Sequence, residues 1–149
     1  ATQYPLKLPK RDKEERYGLF FYLKKKDGAV LFKTNKSSGL LANMDMLPSI
    51  GWYEDSNRFK SSPKFNKKKH EFLGLKWKIL DQNLVHIFTH FKLNCTVAIA
   101  IINDENELLI DLDKSIYRFV QKKNMNDLAL PSLTKKILNS LKKHEALNF

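Results

Sequence analysis

The feature that most constrains the fold is a long run of β-branched and aromatic residues in the middle of the chain, from Asn83 to Ile102. Such residues are enriched in strands because their side chains pack well on a pleated, half-buried surface. Two polar residues, Thr89 and His90, interrupt the run. Their position predicts one strand up to about Phe88 and another from about Phe91 to Ile102. The middle of the chain is therefore predicted to form a β-sheet.

Two further patterns extend this sheet. Short apolar runs at Tyr17–Leu23 and Ala29–Thr34 are joined by a basic stretch that ends in Asp27-Gly28, which is a hairpin signal because glycine tolerates positive φ. Apolar residues between Glu71 and Leu80 also alternate with a second set, Phe72, Gly74, Lys76 and Lys78. This period of two predicts a strand with one largely basic face. Its buried face would comprise Leu73, Leu75, Trp77 and Ile79.

The end of the chain has the pattern of an amphipathic helix that packs on a sheet. Pro131 and Ser132 are typical of a helix start, and a shorter helix at Asn124–Leu130 would end before that proline. Apolar residues lie at helical spacing and lysines largely take the other side. The apolar positions are Leu133, Ile137, Leu138 and Leu141. The predicted class is thus α+β, a mixed or antiparallel sheet with one or two covering helices.

The segments between these elements are predicted to be irregular. Residues 1–16 hold two prolines and dense mixed charge, typical of a basic linker or arm, and residues 17–149 are predicted to form one domain. The other predictions are an ordered loop at 37–51, an exposed and mobile insertion at 54–69, an acidic turn at 103–106, and an edge strand or strand continuation at 107–112.

The chain is strongly basic, with a net charge of +11 from 27 Lys and Arg against 16 Asp and Glu. The charge is segregated: residues 58–78 carry eight basic groups and one acid, whereas residues 103–113 carry five acids and no base. Segregated charge can produce a positive face that binds a phosphate backbone. Lys-rich loops are also often only solvated surface, so charge alone leaves both interpretations open.

Cysteine content and hydropathy bear on location. The single cysteine, Cys95, excludes an intramolecular disulfide and favours a reducing compartment, which predicts a cytoplasmic location. No apolar run approaches the roughly 18 residues that span a bilayer, and the start lacks a signal-peptide core. We therefore expect no membrane partner. Within its apolar strand, Cys95 is predicted to be a small buried hydrophobic residue.

No pattern of catalytic residues is evident. His86 and His90 have the spacing of two ligands on a helix, but they fall on a predicted strand with no cysteine or carboxylate cluster to complete a zinc site. The sequence has neither a G-x-S-x-G nucleophile elbow nor a glycine-rich phosphate loop. We therefore expect no metal, no cofactor and no catalytic residue in this chain.

The segment from His86 to Phe91, HIFTHF, is the best candidate site. Polar and aromatic residues crowd a predicted strand end here. Phenylalanine can wedge between bases or stack on them, while Thr and His side chains can hydrogen-bond to base edges. Simple strand packing is the alternative interpretation.

This segment also resembles the Phe-Ser-His or Phe-Thr-His segment of MutY-type adenine DNA glycosylases, in their carboxy-terminal domain. Three other stretches agree in order, so the resemblance spans nearly the whole chain. Tyr4-Pro5 and the Lys-rich arm resemble the linker after the iron–sulfur cluster of these enzymes. Residues 38–48 are similar to their G-L-L-x-x-x-W-x-F-P segment, although NMDM at 43–46 lacks the tryptophan. Residues 129–138 are similar to their closing A-L-P-S and helix.

The resemblance implies a Nudix-like α/β/α sandwich that checks for 8-oxoguanine opposite the target adenine. Phe88, Thr89 and His90 would form the lesion-reading loop, with His86 beside it. Thr89 would hydrogen-bond the oxidised base, whose N7 carries a proton that guanine lacks. Phe88 and His90 would support the loop and approach the DNA. The implied phosphate contacts are Lys10, Arg11, Arg58, Lys60, Lys67, Lys68 and Lys69.

The implied partners are double-stranded DNA containing 8-oxoguanine:adenine and the catalytic domain of the same polypeptide, in the bacterial cytoplasm and associated with the nucleoid. The 4Fe-4S cluster and the catalytic residues of the family belong to that other domain, so this chain alone should not cleave adenine. Two alternatives remain. One is a divergent Nudix-type hydrolase of oxidised nucleotides, although the R-E-x-x-E-E metal helix of those enzymes is missing from the sequence. The other is a protein-interaction module whose charge is incidental.

Overall fold

The fold is built on one mixed sheet. The computed structural model describes residues 13–36, 39–52, 72–82, 84–108 and 110–145, and eight strands of the sheet lie within them. The strands are β1 (Glu14–Lys25), β2 (Val30–Thr34), β3 (Asp45–Met46), β4 (Ser49–Ile50), β5 (Lys78–Ile79), β6 (Leu84–Ile87), β7 (Phe91–Ile102) and β8 (Tyr117–Val120). The described part also contains the α-helix α1 (Ser132–Glu145) and short 3-10 helices at Phe72–Gly74, Glu105–Glu107 and Lys122–Asp127.

The two long strands form the centre of the sheet. β1 and β7 pair in parallel along their whole length, from Glu14 opposite Phe91 to Lys25 opposite Ile102. β2 pairs antiparallel with β1, and β3 and β8 pair with β2. β4 adds to β1, and β5 and β6 both pair antiparallel with β7. Residues 19–23 of β1 are all buried, as expected of a central strand that is covered on both faces.

Alternation along these strands divides the core into two layers. Phe20, Leu93 and Val97 point to the face covered by α1, whose Leu133, Ile137 and Leu141 are fully buried against them. The intervening residues, such as Leu19 and Phe21, pack on the opposite face against Leu73 and Trp77. Within the described residues, this second face is covered by the segment 72–79 and by parts of the chain between β7 and β8.

Five sequence predictions are confirmed by the structure. The sheet is mixed, β6 and β7 flank Thr89 and His90, and the amphipathic helix starts at Ser132. β1 and β2 form the predicted hairpin, where Gly28 has a φ of 96° and the Asp27 side chain accepts from the Ala29 N–H at 2.9 Å. Cys95 is buried in β7, as expected of a small hydrophobic residue.

The strand predicted at 71–80 is wrong for most of its length. Residues 72–74 form a 3-10 helix in which Leu73 has a φ of 57°, and within the described residues 72–80 the pairing with β7 is confined to Lys78–Ile79 and the following Leu80 N–H, which donates to the Val97 carbonyl. The Trp77 indole donates to the Phe72 carbonyl at 2.9 Å, which folds the segment back on itself. Leu73 and Trp77 are nevertheless buried. The alternation therefore located core residues correctly but did not require strand pairing to bury them.

The segment 107–112 is neither an edge strand nor a continuation of β7 in its described residues. A 3-10 helix at Glu105–Glu107 ends the strand instead, and Asp104 and Glu107 cap it reciprocally. The additional strand is β8, farther along the chain and paired with β2. The residues predicted to form a short helix at 124–130 are partly in the 3-10 helix Lys122–Asp127.

Two predicted boundaries also change. The region 37–51 includes the short strands β3 and β4 in addition to loop, and residues 14–16 of the predicted arm belong to β1. The rest of the arm up to residue 12, and the insertion at 54–69, lie outside the described residues. No helix within the described ranges is long and apolar enough to cross a bilayer.

Candidate functional site

The tight turn between β6 and β7 carries the predicted recognition residues. Ile87 pairs with Lys92 at the end of the ladder, and the Phe88 N–H donates to the Phe91 carbonyl at 2.9 Å. Thr89 and His90 form the tip and are both exposed. Neither has a positive φ, whereas the favoured two-residue hairpin turns, types I′ and II′, require one. The turn is therefore not one of the types whose twist best matches the flanking strands, and contacts from its surroundings add to its stability.

Aromatic packing provides much of that support, because Phe88 is directed inward and half buried. Its ring stacks on Phe91 at a centroid distance of 4.7 Å and on Trp52 at 5.8 Å with an interplanar angle of 17°. His86 meets the same ring edge-on at 4.8 Å. Each such ring pair contributes about 0.5–1.5 kcal/mol beyond its buried area. The inward Phe88 thus fixes the base of the turn while Thr89 and His90 stay outside.

The start of β1 contributes cations to the same place. The parallel pairing of Glu14 with Phe91 puts the first residues of β1 beside the turn. The Lys13 ammonium donates to the Phe88 carbonyl at 2.9 Å. The Arg16 guanidinium lies 4.0 Å from the centroid of the Phe91 ring, a cation–π geometry. The end of the predicted arm therefore lies against the predicted lesion-reading turn.

A third cation, Lys92, lies one residue into β7. Its Nζ is 3.9 Å from Glu15 Oε1, which also accepts from the Asn94 side chain at 3.2 Å. The Lys92 side chain is 44% exposed. Its register partner Ile87 is also exposed, so the outer face of this hairpin end presents one apolar and one basic side chain to solvent.

His86 lies where β6 meets α1. Burial, and secondarily the positive charge of Lys136, lower the pKa of His86 below its ordinary value. The Lys136 ammonium donates to the Val85 carbonyl next to it. His86 is therefore a neutral imidazole at neutral pH, with one nitrogen that donates and one that accepts.

Cys95 lies deeper on the same side of the sheet and is not a nucleophile. Burial raises the pKa of its thiol to about 12, against the opposing effect of the Lys136 charge. The reactive form of cysteine is the thiolate. The thiol therefore stays protonated and unreactive in the fold.

The structure brings the four predicted recognition residues together but gives them different surroundings. His86 and Phe88 are in ring contact and half buried, whereas Thr89 and His90 project from the tip. His90 lies beyond the end of β6 and is exposed, whereas the Phe88 ring contacts His86. The predicted phosphate contacts all fall outside the described residues: Lys10, Arg11, Arg58, Lys60, Lys67, Lys68 and Lys69.

Sequence reasoning missed three neighbours of the turn: Lys13, Arg16 and Trp52. The two cations were assigned to the arm, and their role depends on the parallel pairing of β1 with β7, which no local pattern reveals. Trp52 follows the loop predicted at 37–51. Its residue type was the available signal, because tryptophan is highly buried on average even within an irregular segment.

A second surface feature lies at the other end of β7. A cavity of about 720 Å³ is bordered by Lys25 and by described residues of the stretch from Glu105 to Phe119, among them Leu108, Ile110 and Tyr117. The Lys25 ammonium is 3.7 Å from Glu105 and 4.7 Å from the centroid of the Phe119 ring, so its charge is already compensated. Among the described residues, no three His, Cys, Asp or Glu side chains are grouped so that they could hold a metal ion.

Solved structures with the same fold include proteins of two kinds. The C-terminal domain of mouse MUTYH, crystallised with human PCNA, is 18% identical with a TM-score of 0.63, and the match covers 88% of this chain and 90% of that one. A mutT/nudix family protein from Listeria innocua is 10% identical with a TM-score of 0.61, covering 93% and 100%. The Nudix hydrolase RenU from M. smegmatis is 16% identical with a TM-score of 0.55, covering 93% and 89%. At these identities the likeness shows a shared fold alone.

Comparison of the sequence with protein families agrees with this architecture. No curated protein matches the chain. The NUDIX domain family matches residues 19–140, which run from the centre of β1 into α1 and include the β6–β7 turn. The predicted Nudix-like fold is thereby confirmed, and the chain belongs to the NUDIX domain family.

Proposed function

We propose that this chain is the DNA-binding domain of an adenine DNA glycosylase and that it recognises 8-oxoguanine opposite adenine. The observation that carries the proposal is the β6–β7 turn, where Phe88 anchors the chain and leaves Thr89 and His90 exposed. Recognition of a nucleobase requires hydrogen-bonding side chains whose position is fixed by rigid neighbours, and the tip and root of this turn provide both. The HIFTHF resemblance and the fold shared with the MUTYH C-terminal domain support the same function.

The proposed discrimination depends on one hydrogen bond. Guanine has an acceptor at N7, whereas 8-oxoguanine has an N–H there, and the Thr89 hydroxyl can accept from that donor. Guanine would place its acceptor in the same position. Thr89 could still donate to it, so discrimination requires that the hydroxyl hydrogen be committed elsewhere in the complex. A contact of this kind distinguishes bases by about 1–3 kcal/mol.

Charge at the turn supports binding to a phosphate backbone. Lys13, Arg16 and Lys92 surround the tip, and acidic neighbours Glu14 and Glu15 compensate part of that charge. Lysine contacts to phosphate position a protein on DNA but carry no sequence information. These residues would therefore hold the duplex while Thr89 reads the base.

The second candidate function is hydrolysis of an oxidised nucleotide. It is favoured by the fold shared with a MutT protein from Methanosarcina mazei, at 14% identity and a TM-score of 0.58. The R-E-x-x-E-E motif that supplies metal-binding carboxylates in Nudix hydrolases is missing from the full sequence. The residues present thus favour recognition over hydrolysis, and we expect no release of pyrophosphate from 8-oxo-dGTP in the presence of Mg²⁺.

The decisive experiment compares binding to duplexes that differ only in 8-oxoguanine or guanine opposite adenine. We expect the wild-type chain to prefer the lesion by about 5- to 150-fold, the range that corresponds to one such base contact. Thr89→Ala should abolish the preference, whereas Thr89→Ser, which retains a hydroxyl, should keep most of it. Both variants should bind undamaged DNA with the same affinity as the wild-type chain.

Two outcomes would overturn the proposal. Wild-type binding that ignores the lesion would reduce the domain to a backbone binder, and a lesion preference that survives Thr89→Ala would move recognition away from this turn. Metal-dependent pyrophosphate release would instead establish the hydrolase.

A further inference from the structure

Trp52 lies directly behind the recognition turn. It is only 1% exposed, and its ring is stacked on Phe88 at 5.8 Å and tilted against Phe91 at 6.3 Å. On its other side it contacts Phe20 of β1 at a centroid distance of 5.8 Å. The indole therefore bridges the central strand of the sheet and the base of the β6–β7 turn.

Polar contacts fix the orientation of this indole as well as its position. The indole Nε1 donates to Ser49 Oγ at 3.0 Å, and the main-chain carbonyl of Trp52 accepts from Arg16 Nη1 at 3.4 Å. Arg16 in turn lies over the Phe91 ring. An aromatic ring that is held by both packing and hydrogen bonds has little rotamer freedom, so the face it offers to Phe88 is well defined.

The sequence of β1 makes room for the indole at Gly18. A Cβ on Gly18 would lie 2.6 Å from Trp52 Cδ1, a separation that real Cβ atoms essentially never show, and 3.0 Å from Cγ. Gly18 pairs with Cys95 in the middle of the parallel ladder, where glycine weakens a strand. A residue without a side chain is required at this position because the Trp52 ring occupies the space that a Cβ would fill.

We propose that Trp52, seated on Gly18, is a positioning residue for lesion recognition: it sets the place of Phe88 and thereby the direction of the Thr89-His90 tip. This inference rests on the proposed function of the turn. It differs from a general role in stability, because Trp52 stacks directly on Phe88, the residue that precedes the Thr89-His90 tip.

The chain contains a matched control in its second tryptophan. Trp77 is 3% exposed, its indole also donates a hydrogen bond, and it stacks on Phe72 at 5.8 Å. It belongs to the core layer on the opposite face of the sheet and does not contribute to the cluster around Phe88. Loss of either indole should cost similar stability, but only Trp52 supports the turn.

The test compares Trp52→Leu and Trp52→Phe with Trp77→Leu. We expect Trp52→Leu to reduce the ratio of affinities for 8-oxoguanine and guanine duplexes by about three- to tenfold, the effect of one aromatic pair. Trp52→Phe, which keeps a ring to stack on Phe88, should retain most of the wild-type ratio of affinities. Trp77→Leu should leave the ratio unchanged even though it lowers the melting temperature. Binding to undamaged duplex should stay similar in all three variants.

A second readout needs no DNA. Backbone amide chemical shifts of Thr89 and His90 should move in Trp52→Leu and in Gly18→Ala, and should stay in place in Trp77→Leu. Unchanged turn shifts in Trp52→Leu, or an equal loss of lesion preference in both leucine variants, would overturn the positioning role. If the shifts move as expected but the wild-type chain shows no lesion preference, the proposed function fails while the structural support of the turn by Trp52 stands. If Trp52→Leu does not fold, Gly18→Ala and Trp52→Phe decide the question by the same shifts.

Discussion

Phe88 and Thr89 are adjacent in the chain but have opposite surroundings. Phe88 packs against three other rings, whereas the Thr89 side chain has solvent around it. This arrangement suits the proposed recognition site, because a hydrogen-bonding group discriminates well only when its own position is fixed by rigid neighbours. At this scale, the chemistry of the site depends on which of two consecutive side chains enters the core.

His86 makes the stability of this region sensitive to pH. Its pKa is lowered by burial and by the charge of Lys136, so the unfolded chain binds protons more readily than the folded one. The contribution of the neutral His86 to the free energy of unfolding should therefore be fully present above about pH 6.5, the ordinary pKa of histidine, and should decrease as the pH falls below it. His86→Gln should remove this part of the acid sensitivity in thermal melts recorded from pH 7.5 to pH 5. His90→Gln, at the exposed tip, is the control, and an equal effect of both variants would contradict the assignment.

At the scale of elements, the short strand β3 joins several parts of the fold through one carboxylate. Asp45 is 5% exposed. Its Oδ1 accepts from Thr34 Oγ1 at 2.9 Å and from Arg118 Nη2 at 3.2 Å, and its Oδ2 accepts from the Ala129 N–H at 3.2 Å. It thus connects β2, β8 and the segment that leads into α1. A buried charge is tolerated when its oxygens are satisfied in this way.

Asp45→Ala should lower the free energy of unfolding by on the order of 2 kcal/mol, because donors left without an acceptor in a buried site carry a desolvation penalty. Urea denaturation followed by tryptophan fluorescence would measure the change. Asp111→Ala removes an exposed carboxylate and should have almost no effect. If both variants are equally stable, the Asp45 contacts do not contribute to the fold.

Local signals predicted some elements well and others poorly. The β1–β2 hairpin, the two strands around HIFTHF and α1 follow from turn residues and periodicity within one segment. The failure at 71–80 has a different cause. Its alternation reports burial, but whether a segment pairs with a neighbour depends on a strand elsewhere in the chain, here β7. The same dependence explains why β8 was not predicted, since its partner is β2.

At the scale of the whole molecule, the parallel pairing of β1 and β7 decides where the site is assembled. Lys13 contacts Phe88 across 75 residues of sequence, and Arg16 contacts Trp52 across 36. The acidic segment 103–113 follows the far end of β7, whereas Lys13, Arg16 and Lys92, with Glu14 and Glu15 beside them, lie at its near end. This arrangement favours approach of a polyanion from the side of the turn.

The salt dependence of DNA binding tests that orientation. Lys13→Gln and Lys92→Gln should each reduce the slope of log affinity against log salt by about 1, as expected for the loss of one phosphate contact. Lys114→Gln removes one positive charge at the other end of the molecule and should leave the slope unchanged. Equal slopes for the three variants would show that net charge, and not the position of the charge, governs binding. Binding titrations with undamaged duplex at several salt concentrations provide the measurement.

The sequence by itself determined the strand-rich centre, the hairpin, the amphipathic helix and the HIFTHF candidate, because each depends on residues close together in the chain. Only the tertiary structure decided that Thr89 and His90 point outward, that Trp52 and Gly18 lie behind them, and that Lys13 and Arg16 reach the same turn. The physical reason is that these relations follow from strand pairing and core packing between distant segments. Periodicity and composition report whether a residue is buried, whereas the neighbours it is buried against are set by the fold.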